Sequence, residues 1–145
     1  MSFHIGVVGS RKCPPHWKQQ LEETLSYAKA IAPDFTLVSG HSPGGGPDIW
    51  AENWADFFSQ PKLIFPIEPG PSYEFRKRAM ARNTEIVRHS DLVIALWDWD
   101  SSGTANSIAK AASLERSLII ITNPVSWLGM FDQIHYAYKK WAIKH

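Results

Sequence analysis

Apolar runs alternate with stretches of helical period along this chain, and that alternation predicts its elements. "FHIGVVGS" (3–10) reads as a buried strand ending at Gly9. "PPHWKQQLEETLSYAKAIA" (14–32) sets Trp17, Leu21, Leu25, Ala28 and Ala32 on one helical stripe. A second strand, "FTLVSG" (35–40), leads through "HSPGGG" into a helix over 47–58. Pro47 falls in its first turn, and Trp50, Trp54, Phe57 and Phe58 share one face. "KLIFPI" (62–67) is the third strand, and the breaker-rich "EPGPS" follows it. The pattern then predicts a helix over 73–89, a strand over 91–98, a helix over 102–115 and a strand over 117–122. The tail, 124–145, carries one more amphipathic helix with Trp127, Phe131, Ile134, Tyr138 and Trp141 on its apolar side.

Continuously apolar strands separated by helices mean that both faces of a sheet are covered. The expected class is α/β: a doubly wound parallel sheet of about five strands, with helices on both faces and a C-terminal helix. One domain is expected over 1–145, with a core of 3–122 and a helical tail. Ligands of such sheets sit beyond the carboxyl ends of the strands, at the point where strand order reverses. Three exits are rich in glycine, serine or threonine: "GSRK", "SGHSPGGGPD" and "DWDSSGT". They are expected to converge on one edge.

Composition narrows the setting. The 145 residues are 44% hydrophobic and 20% charged, ordinary for a globular chain with a real core. A net charge of +1 supplies no global field for nucleic acid or membrane, and so argues against both as partners. The single cysteine, Cys13, excludes an internal disulfide. With no secretory signal pattern and no membrane-length apolar run, a cytoplasmic placement is expected. The six histidines have no metal-ligand spacing, so neither metal nor cofactor is expected.

Two exits carry candidate chemistry. In "SSGTANS", a helix starting near Gly103 would aim free amides and the positive end of its dipole at the strand exit. Ser101, Ser102 and Thr104 add hydroxyls. An ordinary N-cap explains the same residues without a ligand. In "SPGGGPD", Gly44, Gly45 and Gly46 lose much backbone entropy on folding but let a ligand approach closely; a plain flexible turn is the alternative. Neither loop has dinucleotide-fingerprint or P-loop spacing. Asp48 opens the next helix, placed to complement its dipole or to take a ribose hydroxyl.

The helix over 73–89 offers polar residues on an apolar stripe. Ala79, Met80, Ile86 and Val87 form the stripe, and Arg76, Asn83 and Ser90 recur along it at intervals of seven. Arg82 lies at its edge, while Arg78 and Arg88 point away. A buried arginine or asparagine must be paired, with loop carbonyls or with a ligand. Trp97 and Trp99 alternate with Asp98, so a ring can stack on a base or pack on the sheet.

In this order, "GVVGSR", "VSGHSPGGGPDIWAENWA", "RN" and "DLVIALWD…SGT" resemble the SLOG superfamily. That Rossmann-like group includes the LOG cytokinin-activating phosphoribohydrolases and the DNA-processing protein A. The pattern is most similar to its bacterial and phage YspA-like branch, through Pro47–Asp48, Ala51, Trp54–Ala55 and Arg82–Asn83. The resemblance covers about residues 3–122 and implies a pocket for a nucleotide or nucleotide-derived ligand, and a homo-oligomer. LOG hydrolases carry P-G-G-x-G-T-x-x-E. Here Asp100–Ser101–Ser102 replaces the P-G-G, and the glutamate position is Ser107, which supplies no carboxylate.

The leading expectation is therefore a Rossmann-like domain that binds a nucleoside monophosphate, NAD or an ADP-ribose-like molecule. Its phosphate is expected on Ser102, Gly103, Thr104 and Gly44–Gly46. Gly9, Ser10 and Arg11 would close the first exit, Ser39 and Gly40 the second. Arg76, Arg82, Asn83, Asp48 and Trp97 would contact the ligand. One alternative is an N-glycosyl hydrolase acting on a nucleoside monophosphate through Asp48 or Asp98. The other is a single-stranded DNA binder, with "YKKWAIKH" as its basic aromatic segment.

Overall fold

The computed structural model describes residues 2–42, 44–122 and 127–145, and the side chains of all of these except 127 and 128. Five parallel strands form one sheet in the order β3-β2-β1-β4-β5: β1 His4–Gly9, β2 Thr36–Ser39, β3 Lys62–Ile64, β4 Leu92–Leu96 and β5 Ser117–Ile121. The helices are α1 Trp17–Ile31, α2 Pro47–Phe57, α3 Phe75–Arg88, α4 Ser102–Ser113 and α5 Trp127–Lys144. One 3-10 turn, Ser72–Glu74, leads into α3. This is the expected doubly wound α/β architecture. Trp127, placed above on the tail's apolar side, lies outside the residues whose side chains are described.

Both sheet faces are dry, which is why the strands read as unbroken apolar runs. On one face α1, α2 and α5 pack Trp17, Leu21, Leu25, Trp54 and Ile134 over Ile5, Leu37, Leu92 and Ile94. On the other, α3 and α4 pack Ile86, Val87 and Ala111 over Val8, Val38, Val93 and Ala95. Fully burying one such aliphatic side chain contributes about 1.5–3 kcal/mol. β3 is shorter than its apolar run: Phe65 still donates its amide to Ser39 O at 2.8 Å, but Pro66 has no donor with which to extend the ladder.

The order reverses between β1 and β4, which pair from Ile5↔Leu92 to Gly9↔Leu96. At Gly9 an added Cβ would lie 2.7 Å from Pro47 Cγ and 3.0 Å from Leu96 O. That missing side chain lets the start of α2 close over the exit of β1 and fixes the walls of the crevice.

Candidate functional site

A cavity of about 260 Å³ opens at the carboxyl edge of the sheet, at the β1/β4 reversal. Its walls come from the exits of β1 and β4, the starts of α2 and α4, and the inner side of α3. Of the residues singled out in the sequence, Gly9, Ser10, Arg11, Asp48, Arg82, Asn83, Gly103 and Thr104 line it. A larger apolar groove, about 950 Å³, lies between α1 and α2, away from the strand exits. The polar groups that converge at the smaller cavity, not size, mark it as the site.

The β4 side is built from local bonds. Asp98 Oδ1 accepts the amides of Asp100 and Ser101, each at 2.9 Å, and Trp97 Nε1 donates to Ser101 O at 3.1 Å. Ser101 Oγ then accepts the Thr104 amide at 3.3 Å and caps α4. An ideal Cβ on Gly103 would still stand 4.0 Å from Asn83 Nδ2 and from Ser101 Oγ, so this backbone faces open space. A helix N-terminus bordering such a space favours an anion.

The β2 side is arranged differently. Gly44–Gly46 do not line the cavity. Arg11 lies directly over Gly44, where a Cβ would collide with its guanidinium. Gly46, at φ 89°, brings its backbone close to Arg11 Cα. The glycine loop is therefore a seat for an arginine. Behind it, Asp48 Oδ2 accepts the Ser42 amide at 3.3 Å. Burial pushes the Asp48 carboxyl up to about 6, although Arg82 and the Ser42 amide pull it down.

Arg82, from the edge of the α3 stripe, donates Nε to Asn83 Oδ1 at 2.8 Å and Nη1 to Gly40 O at 2.6 Å. Burial lowers its pKa, and Asp48 opposes that shift. Among the described residues no hydrogen bond engages Nη2. Arg76 is exposed and does not line the cavity. It sits in the first turn of α3, beyond the sheet.

Other expected contacts are placed elsewhere. Ser39 is buried and donates to Glu52, Gly40 contributes only its carbonyl to Arg82, and Ser102 is outside the lining. Trp97 packs against Trp99, with ring centroids 4.3 Å apart. The amides of Ser101 and Asp100 hold the Asp98 carboxyl below the usual carboxylate range, and the group turns the loop instead of facing the cavity. Arg78 is not solvated as expected: it donates to Glu68 O, Gly70 O and Pro71 O at 2.5, 3.0 and 2.7 Å. Cys13 is buried, and burial raises its thiol to about 11, which makes it inert.

Sequence reasoning missed Ser42 and Phe75, which line the cavity. Phe75 is 52% exposed and Tyr73, nearby, 85%. The Arg78 bonds tie down the loop that leads into the turn and helix start bearing these rings. The exposure of two aromatics beside a strand exit was legible only as "SYEF", one polar turn among several. Ser107 is buried on the cavity wall, its hydroxyl donating to Gly103 O at 3.2 Å. The position that carries the LOG glutamate therefore faces the site with no acid.

No family model matches the chain, and no curated protein matches it. Solved structures share its fold. DNA processing protein A from Streptococcus pneumoniae superposes with TM-score 0.68 at 20% identity, over 96% of this chain and 56% of that one. DNA processing protein A from Helicobacter pylori, described with a single-stranded DNA binding mode, gives TM-score 0.63 at 19% identity. That match covers 95% of this chain and 72% of the other. The chain thus spans little more than half of the pneumococcal protein. Both neighbours belong to the superfamily that the motifs resemble. The Helicobacter pylori protein overturns the expectation, drawn from net charge, that argued against nucleic acid as a partner. Net charge sums the whole surface, whereas a strand is held by the few cations that meet at one edge.

Proposed function

We propose that this chain binds single-stranded DNA at the carboxyl edge of its sheet, with a backbone phosphate in the switch-point cavity. The observation that carries this reading is the convergence of Arg11, Arg82 and the start of α4 on one cavity beside exposed aromatic rings. Guanidinium and amide donors hold phosphate without regard to sequence. Tyr73 and Phe75 offer stacking faces for the bases on either side of it. The fold shared with a DNA-binding neighbour supports the same reading.

A free nucleoside monophosphate is the second reading. Asp48 on the cavity wall favours it, as an acceptor for a ribose hydroxyl, and so does the YspA-like pattern of Pro47–Asp48 and Arg82–Asn83. The test is fluorescence anisotropy with a labelled oligothymidylate across a salt series. Saturable binding that weakens with salt, and that a mononucleotide competes for only at far higher concentration, supports the DNA reading. Equal competition by the mononucleotide transfers the site to the second reading. No binding by either defeats both.

A further inference from the structure

The segment that leaves β3 walls two hollows. Ile67 lines the switch-point cavity, while its neighbours Pro66 and Glu68 line a second cavity, of about 200 Å³, between that segment and α3. The helical wall of the second cavity is one face of α3, because Arg78, Ala81, Arg82 and Glu85 follow at steps of three, four and seven residues. Arg82 lines both cavities, so the two adjoin at one arginine.

Arg78 holds the opposite wall in place. It donates to Glu68 O, Gly70 O and Pro71 O. A Cβ at Gly70 would stand 2.8 Å from Arg78 Nε, so the glycine lets the guanidinium reach these carbonyls. The same guanidinium lies 5.8 Å from the ring centre of Phe75, which lines the first cavity. The second cavity is therefore tied to the first through Arg78 as well as Arg82.

Their chemistry differs. Arg11, Arg82 and the start of α4 suit a phosphate in the first. The second is lined by the apolar Phe65, Pro66 and Ala81 together with two acids, Glu68 and Glu85. Like charges repel, so a second phosphate is disfavoured there. Its volume equals the share of about seven liquid waters, room for one heteroaromatic ring. A carboxylate only accepts hydrogen bonds, so the ring it selects carries an amino donor. Cytosine has one at N4, whereas thymine sets its single ring N–H between two carbonyls that repel an acid.

We propose that this second cavity takes one base of the bound strand and prefers a base with an exocyclic amino group over thymine. This rests on the DNA reading and makes that site selective.

The test uses the full chain, with labelled oligodeoxycytidylate and oligothymidylate of equal length at neutral pH and one salt concentration. Cytidylate is expected to bind about tenfold more tightly. Both strands carry the same charge, so phosphate contacts cancel in that ratio. Glu68→Ala combined with Glu85→Ala should bring the two affinities together while thymidylate binding persists. Glu22→Gln, in the groove between α1 and α2, also removes a negative charge and should keep the ratio. As a second measurement, on wild type alone, a strand of N4,N4-dimethylcytosine has no amino donor and should bind no better than thymidylate. Equal binding of the two natural strands, tighter binding of thymidylate, a ratio that survives loss of both acids, or undiminished binding of the dimethylated strand overturns this proposal and leaves the DNA reading standing. Absence of binding by every strand defeats the DNA reading itself.

Discussion

The loops after β2 and after β4 have similar sequences, each rich in small residues and opening a helix, yet they serve the site in opposite ways. The loop after β4 turns its own backbone toward the cavity, and Gly103 borders open space. The loop after β2 sets Gly44 and Gly46 against Arg11 and supports a side chain from the exit of β1. Small residues thus permit a close approach, but the neighbouring element decides whether a ligand or an arginine makes it.

That contrast can be broken at five places. The largest effect is expected on the β2 side, at Asp48. Its folded pKa of about 6 stands above the ordinary 3.8, so the folded chain binds the proton more tightly than the unfolded one. The resulting stability is fully present below 3.8 and is lost as pH rises through about 6, a change of about 3 kcal/mol. Denaturant midpoints measured across this range should fall in wild type and stay flatter in Asp48→Asn. Next, Arg11→Ala should weaken oligonucleotide binding about tenfold and reduce the salt slope by about one ion, with Tm nearly unchanged.

On the β4 side, Ser101→Ala removes the α4 cap and should cost about 1 kcal/mol in urea unfolding. The smallest effect compares the two glycines directly. Gly44→Ala should displace Arg11 and weaken binding about threefold, and Arg11→Ala should abolish that difference, since neighbouring sites do not add. Gly103→Ala meets no protein atom nearer than 4.0 Å, so it should leave Tm in place and affect binding only through contact with the ligand.

The sheet was legible because strands dry on both faces leave continuous apolar runs that nothing else in the chain imitates. The site was legible in its loops and less so in its long side chains. Helical arithmetic placed Arg76 at the stripe centre and Arg82 at its edge, yet Arg82 enters the site. Spacing fixes the direction of a Cβ, not where a flexible arginine ends. Phe57 failed in the other sense: it shares a stripe with Trp54 but sits in the last residue of α2 and is 81% exposed. The pairing of His41 Nδ1 with Glu52 Oε1, 2.6 Å apart, gave no sequence signal, because it depends on a left-handed backbone at residue 41, φ 52°, that no local pattern specifies.

The in-register pairing of β1 with β4 has an engineering consequence. Strand length here acts as a ruler, because Gly9 opposite Leu96 sets how far apart the two departing segments begin. Extra residues inserted at Asp100 would break the two amide bonds to Asp98 that shape the exit of β4. A single residue deleted from either strand would move the side chains beyond it to the opposite buried face and carry the two halves of the site out of alignment. The paired strands and the bend that continues β4 are therefore where this scaffold would accept no grafted peptide.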